Sequence, residues 1–197
     1  MAVGEPDHGR AGPARAVLTR RAFAAVALAV PTHAGRIVVA RGMLTFGTLR
    51  VRCAVGRTGI RTDKREGDGA TPAGVFPLRE VLYRADRGPA PKTGLPVSTI
   101  GKQDGWSDDP KDPDYNRRVT NPHGFHNEPL WREDALYDVL AVIGANDSPV
   151  VPGRGSAIFL HIARSGYGGT DGCVAVARAD LLRVLERSGP GTEITIG

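Results

Sequence analysis

The sequence predicts a mainly β domain with one helix near its C-terminus. Short apolar runs recur along the chain, and several alternate in polarity as half-buried strands do. Glycine (26) and proline (15) are frequent between those runs, while aromatics make up only 6% of the 197 residues. That composition suits turns joining strands better than a helical bundle. Residues 180–187 repeat their apolar side chains at helical spacing, with charges on the other face.

Residues 1–18 are polar and rich in Gly, Ala and Pro, and read as a disordered tail. Thr19-Arg20-Arg21-Ala22-Phe23 precedes an apolar stretch over 24–30 and then Thr32-His33-Ala34. This order reads as a twin-arginine export signal cleaved after Ala34; the alternative is a first strand over 22–30. The expected organisation is a tail with signal over 1–34 and a catalytic domain over 35–197, in the periplasm or cell envelope. Strand-like runs follow at 36–40, 43–46 and 49–55, separated by hairpin-sized pairs. Residues 56–69 are a polar, Gly-rich loop, and 77–83 is the next strand. Residues 84–130 show little periodicity, but Trp106 within them and Trp131 just beyond argue for order, and the stretch Trp106–Asn116 is expected to border the cleft. There Asp108, Asp109 and Asn116 are candidates to meet amide and amine groups; the other reading, of equal weight, is a structural loop whose polar groups cap its own backbone. Strands are expected at 137–143 and 157–162. Gly189 and Pro190 end the helix, and 192–196 is a closing strand.

Lys plus Arg exceed Asp plus Glu by 26 to 21, giving +5. The basic residues are scattered without an aromatic-interleaved stripe, which argues against a nucleic-acid partner. No apolar run is long enough for an integral membrane span. Two cysteines without a CxxC spacing make neither a disulfide framework nor a zinc site. Cys53, in the alternating run 49–55, reads as a small buried hydrophobe.

Cys173 has a different setting. The run 157–162 delivers His161 at its end, a Gly-rich loop follows, and Gly172-Cys173 returns at the edge of another apolar run. A cysteine attacks as thiolate, and a neighbouring imidazole takes its proton. Gly172 leaves room for substrate, and backbone N–H groups around it are candidate oxyanion donors. The other reading of a lone His beside a lone Cys is structural. His126, in the irregular segment, is the second candidate base.

His161 with Thr170-Asp171-Gly172-Cys173-Val174 resembles the signature of the L,D-transpeptidase (YkuD-type) family, a histidine, a variable loop, then Ser-(His/Lys/Arg)-Gly-Cys-(Val/Ile). Thr71-Pro72-Ala73-Gly74-Val75-Phe76 resembles that family's Thr-Pro-x-Gly-x-Phe strand. Gly105-Trp106-Ser107-Asp108-Asp109-Pro110 with Asp114-Tyr115-Asn116 resembles one bacterial branch of it. The resemblance covers residue 36 to the C-terminus. It implies a β-sandwich-type catalytic domain without metal or organic cofactor, acting on peptidoglycan stem peptides in cell-wall cross-linking or remodelling. Cys173 would form an acyl-enzyme and pass it to an amine, with His161 as base. Gly172, Thr170, Arg164, Trp106, Tyr115 and Asn116 would serve the oxyanion and substrate. The alternatives are a cysteine L,D-carboxypeptidase or amidase with the same site, and a non-catalytic wall-binding domain. The chain departs from the pattern at Thr170, at acidic Asp171, at Ile162 and at Ala175, where many members carry a substrate-holding arginine. An acidic Asp171 disfavours the thiolate unless it faces away or pairs with Arg164. Arg164 and Arg178 are candidates to take the place of the missing arginine; the other reading of each is a solvated surface charge.

Overall fold

The computed structural model describes residues 1–3 and 35–197. The expected export signal, and its alternative as a strand over 22–30, lie outside the described residues. The strands in chain order are β1 (Arg36–Ala40), β2 (Met43–Phe46), β3 (Leu49–Ala54), β4 (Ile60–Arg61), β5 (Thr71–Pro72), β6 (Gly74–Tyr83) and β7 (Val97–Thr99). They continue with β8 (Asp104–Ser107), β9 (Arg118–Thr120), β10 (Asn127–Pro129), β11 (Val139–Ile143), β12 (Phe159–Ile162) and β13 (Val174–Val176). Helix α1 (Arg178–Glu186) and β14 (Glu193–Ile196) complete the domain.

The main sheet has the order β11-β12-β13-β3-β2-β1-β14-β6-β7, and β11 also pairs with β6. β6 is long enough to serve two layers. Its first half pairs with β14 and its second half with β11. The sheet therefore folds over on itself as a β-sandwich, with β6 and the short β13–β3 pairing as corners. Alternation decides what goes inside. Ile37 and Val39 of β1, Val51 and Cys53 of β3, and Ile194 and Ile196 of β14 fill the space between layers. Leu181, Val184 and Leu185 of α1 join the same core, which is why that helix needs one apolar face only.

β11 is buried throughout. Its odd-numbered residues, Val139, Ala141 and Ile143, face the inner core, while Leu140 and Val142 face a second apolar cluster. That cluster includes Trp106, Leu130, Tyr137, Phe159 and Cys173. It lies under a small sheet of order β10-β8-β9. The span expected to be irregular, 84–130, thus holds four short strands. Glycine, aspartate and asparagine interrupt any alternation there, which hid them. The Gly-rich loop 56–69 likewise contains β4, paired in parallel with β5. Among the described residues, no helix is long and apolar enough to cross a membrane.

Candidate active site

The second apolar cluster opens into a cavity of about 400 Å³ lined by His161, Cys173, Tyr137, Glu128, Arg132 and Arg164, among others. Sheet register sets its chemistry. β12 and β13 run parallel, with Leu160 opposite Val174 and His161 opposite Ala175. Leu160 and Ile162 face the inner core, so the alternate residues Phe159 and His161 face the cavity side. Cys173 ends the loop that leads into β13.

The Cys173 sulfur is held by the strand beside it. It accepts the Phe159 N–H at 3.3 Å and donates to the Ala157 carbonyl at 3.2 Å. Tyr137 lines the same cavity and packs in the same apolar cluster. Burial first, then the negative charge of Glu128, pushes the thiol pKa up to about 12. Lys64 opposes this: it is buried, it packs against the Gly155 and Gly172 positions, and its ammonium lies 2.6 Å from Asp68. His161 donates Nδ1–H to the Ile162 carbonyl at 2.8 Å, leaving Nε2 as the lone-pair nitrogen. Burial pulls its pKa down to about 4. Thiol and imidazole are therefore both neutral at rest.

Gly172 has φ +146°, and a Cβ there would meet the Ala70 carbonyl oxygen at 3.0 Å. Only glycine suits that conformation. Its N–H is not aimed into the cavity as an oxyanion donor; it donates to Thr170 Oγ1 at 3.2 Å. Thr170 in turn donates to the Cys173 carbonyl at 2.6 Å, and Thr71 donates to the same oxygen at 3.3 Å. Thr170 thus braces the Cys173 loop, besides lining the cavity.

Three residues expected at the substrate surface stand behind it. Trp106, Tyr115 and Asn116 are buried and do not line the cavity. Asn116 Oδ1 accepts from Trp106 Nε1 (3.0 Å) and from the Ala157 N–H (3.1 Å), and its amide donates to the Ala145 and Asn146 carbonyls. Tyr115 donates to Glu66 at 2.5 Å. They were expected at the cleft because they are polar or amphipathic, but those same polar atoms satisfy one another inside the wall. Asp109 caps its own turn at the Lys111 N–H, whereas Asp108 does reach the cavity.

Asp171 is exposed and pairs with Arg57, not with Arg164. Arg164 lines the mouth. Arg178 is drawn away to Asp138 at 3.1 Å and does not replace the missing arginine. Arg132 does bring a guanidinium to the cavity, stacked 5.1 Å from the Tyr137 ring centroid. His126 sits exposed at the rim, 2.5 Å from Asp108, whose charge raises its pKa. Cys53 is a free thiol in the inner core, pushed by burial up to about 11. Sequence reasoning passed over Tyr137, Glu128 and Arg132. The one signal available was an aromatic residue at the start of a fully apolar run.

A folded-over β-sheet with a thiol, an imidazole and a phenol on one cavity is a scaffold for acyl-transfer chemistry. The model of the L,D-transpeptidase catalytic domain (YkuD) matches residues 29–196, and the chain belongs to that family. No curated protein and no solved structure matches it.

Proposed function

We propose that this protein is a peptidoglycan L,D-transpeptidase of the cell envelope, with Cys173 as nucleophile and His161 as base. The observation that carries the reading is the shared cavity. His161 opens into it from β12 and Cys173 from the end of the loop that enters the parallel neighbour β13, and His161 keeps its free nitrogen on Nε2.

Both groups are neutral, so the proton moves as the bond forms. The sulfur attacks the carbonyl between the third and fourth residues of a donor stem peptide, and Nε2 takes the thiol proton. That proton passes to the leaving amine, and D-alanine departs. An acceptor amine then attacks the thioester, gives a proton to Nε2, and the proton returns to sulfur. Tyr137, whose hydroxyl donates to Glu128 in the empty site, lines the same cavity and is the candidate donor to sulfur or to the nascent oxyanion. Arg164 and Arg132 supply positive charge for peptide carboxylates, beside a wall that Ala175 leaves apolar.

Mass spectrometry of isolated tetrapeptide muropeptides incubated with the full chain tests this. The expected result is a cross-linked product with released D-alanine, and a transient adduct on Cys173. Cys173→Ala should remove product and adduct together. A tripeptide without cross-link would turn the reading to an L,D-carboxypeptidase. Full turnover by Cys173→Ala would end it.

A further inference from the structure

Glu128 is an acidic side chain of the cavity for which the reaction above has no use. It stands on β10 opposite Trp106 of β8. Its Oε1 accepts the Tyr137 hydroxyl at 2.6 Å. The cation nearest to it, Arg132, is 3.9 Å away and is committed to Asp134 by two hydrogen bonds of 2.8 and 2.7 Å. The other charged groups facing Glu128 are Asp108, beyond β8, and Glu66, from the 56–69 loop. Glu66 accepts from Tyr115 and Ser156, and His126 is held by Asp108. Burial, and then the nearby carboxylates, raise the Glu128 carboxyl above its usual range against the pull of Tyr137 and Arg132.

Tyr137 joins this carboxyl to the nucleophile. Its ring is clamped edge-on by Phe159 at 5.7 Å and His161 at 5.3 Å, its hydroxyl is bonded to Glu128, and it shares one cavity and one apolar cluster with Cys173. A phenol has one proton and aims it at one acceptor at a time. When Glu128 is ionised, that proton belongs to the carboxylate, and the sulfur faces an oxygen lone pair. When Glu128 is protonated, its own O–H donates to the phenol oxygen, and the Tyr137 O–H turns to sulfur.

We propose that Glu128 is a positioning residue for the nucleophile, setting through Tyr137 whether Cys173 receives a hydrogen-bond donor. A peptide filling the cavity strips water from Glu128 and favours its neutral form. The donor then swings to sulfur as substrate arrives, and the thiol stays idle in the empty site. The proton that Glu128 takes up comes from solvent and returns there when the cavity empties.

The inference rests on Cys173 being the nucleophile, but its test needs no peptide, so its failure is distinct from failure of the transpeptidase reading. Iodoacetamide alkylation of Cys173 in the full chain, followed by peptide mass analysis, is compared across a pH series. The proteins are wild type, Glu128→Gln, Tyr137→Phe and the double variant. Glutamine is neutral and donates N–H to the phenol oxygen. Glu128→Gln should alkylate about tenfold faster near neutral pH, the equivalent of one unit in the thiol pKa. In the Tyr137→Phe background the same substitution should change the rate less than about twofold. An equal gain in both backgrounds means that the charge acts through space alone, and overturns the proposal. So does an unchanged or slower Glu128→Gln. Should Tyr137→Phe fail to fold, the pH profiles decide. Wild type should show two ionisations and Glu128→Gln one, and identical profiles overturn the proposal.

Discussion

His161 holds its proton on Nδ1 and is buried, with a pKa near 4, and both features are measurable. In its proposed role as base it must be unprotonated, so kcat/KM should fall only as pH drops through about 4, well below the ordinary histidine value. The same depression acts on stability. The unfolded chain takes up this proton near 6.5 and the folded chain near 4. Between those values the unfolded state binds more protons, so stability is full above 6.5 and is lost as pH falls toward 4. The contribution is about 3 kcal/mol, and denaturant melts of wild type and His161→Gln across that window check it. Asn116 offers a contrast. Its four buried hydrogen bonds and its positive φ of 59° make it part of the wall. Asn116→Ala should therefore cost about 3 kcal/mol of stability, with turnover per folded molecule changed by less than about tenfold. A normal melting temperature with weak substrate use would restore it to the substrate surface. Cys173 and His161 were legible in the sequence because each sits at the edge of an apolar run. Glu128 and Arg132 were not, because Glu128-Pro129 and Arg132-Glu133-Asp134 look like solvated charge until the fold turns them inward.

At the scale of elements, apolar alternation was a sound guide wherever a strand buries one face. β1 and β2 carry the expected bounds, and β3 ends one residue early. The helix expected over 180–187 spans Arg178–Glu186, because its first turn carries polar residues that do not advertise a period. The β8–β10 sheet escaped notice for a physical reason. Its strands are three or four residues long, too short for a period of two to register. Its pairing is supported by side-chain bonds such as Asn121–Asn127. The nucleophile loop makes the sharpest prediction at this scale. Gly172→Ala puts a Cβ against the Ala70 carbonyl at φ +146°, a strain of roughly 1–3 kcal/mol. Because Thr170 and Thr71 fix the Cys173 carbonyl, the strain must displace the sulfur. Turnover should fall by more than about tenfold, measured as kcat alongside a melting curve that drops only a few degrees. Unaltered kcat would mean that the loop tolerates a shift of the cysteine.

The whole molecule closes through its C-terminal strand. β14 lies between β1, to which it is parallel, and β6, to which it is antiparallel. The Arg36–Glu193 contact spans 157 residues. Deleting residues 193–197 should abolish cooperative unfolding, since it removes Ile194 and Ile196 from the core and unpairs two strands at once. A truncated chain that still melts sharply would show that β1 and β6 can close without it. That architecture was only half visible in the sequence. The long strands and the closing strand were read correctly, the short ones were missed, and alternation says nothing about which strands become neighbours. The parallel pairing of β12 with β13 carries one more consequence. His161 and Cys173 are spaced by sheet register, so the tip of the connection between them, Ser165–Tyr167, tied down mainly by Arg52, is free to diverge. None of these three residues lines the cavity, so a protein engineer can splice a foreign peptide there and leave the proposed catalytic pair where the sheet holds it.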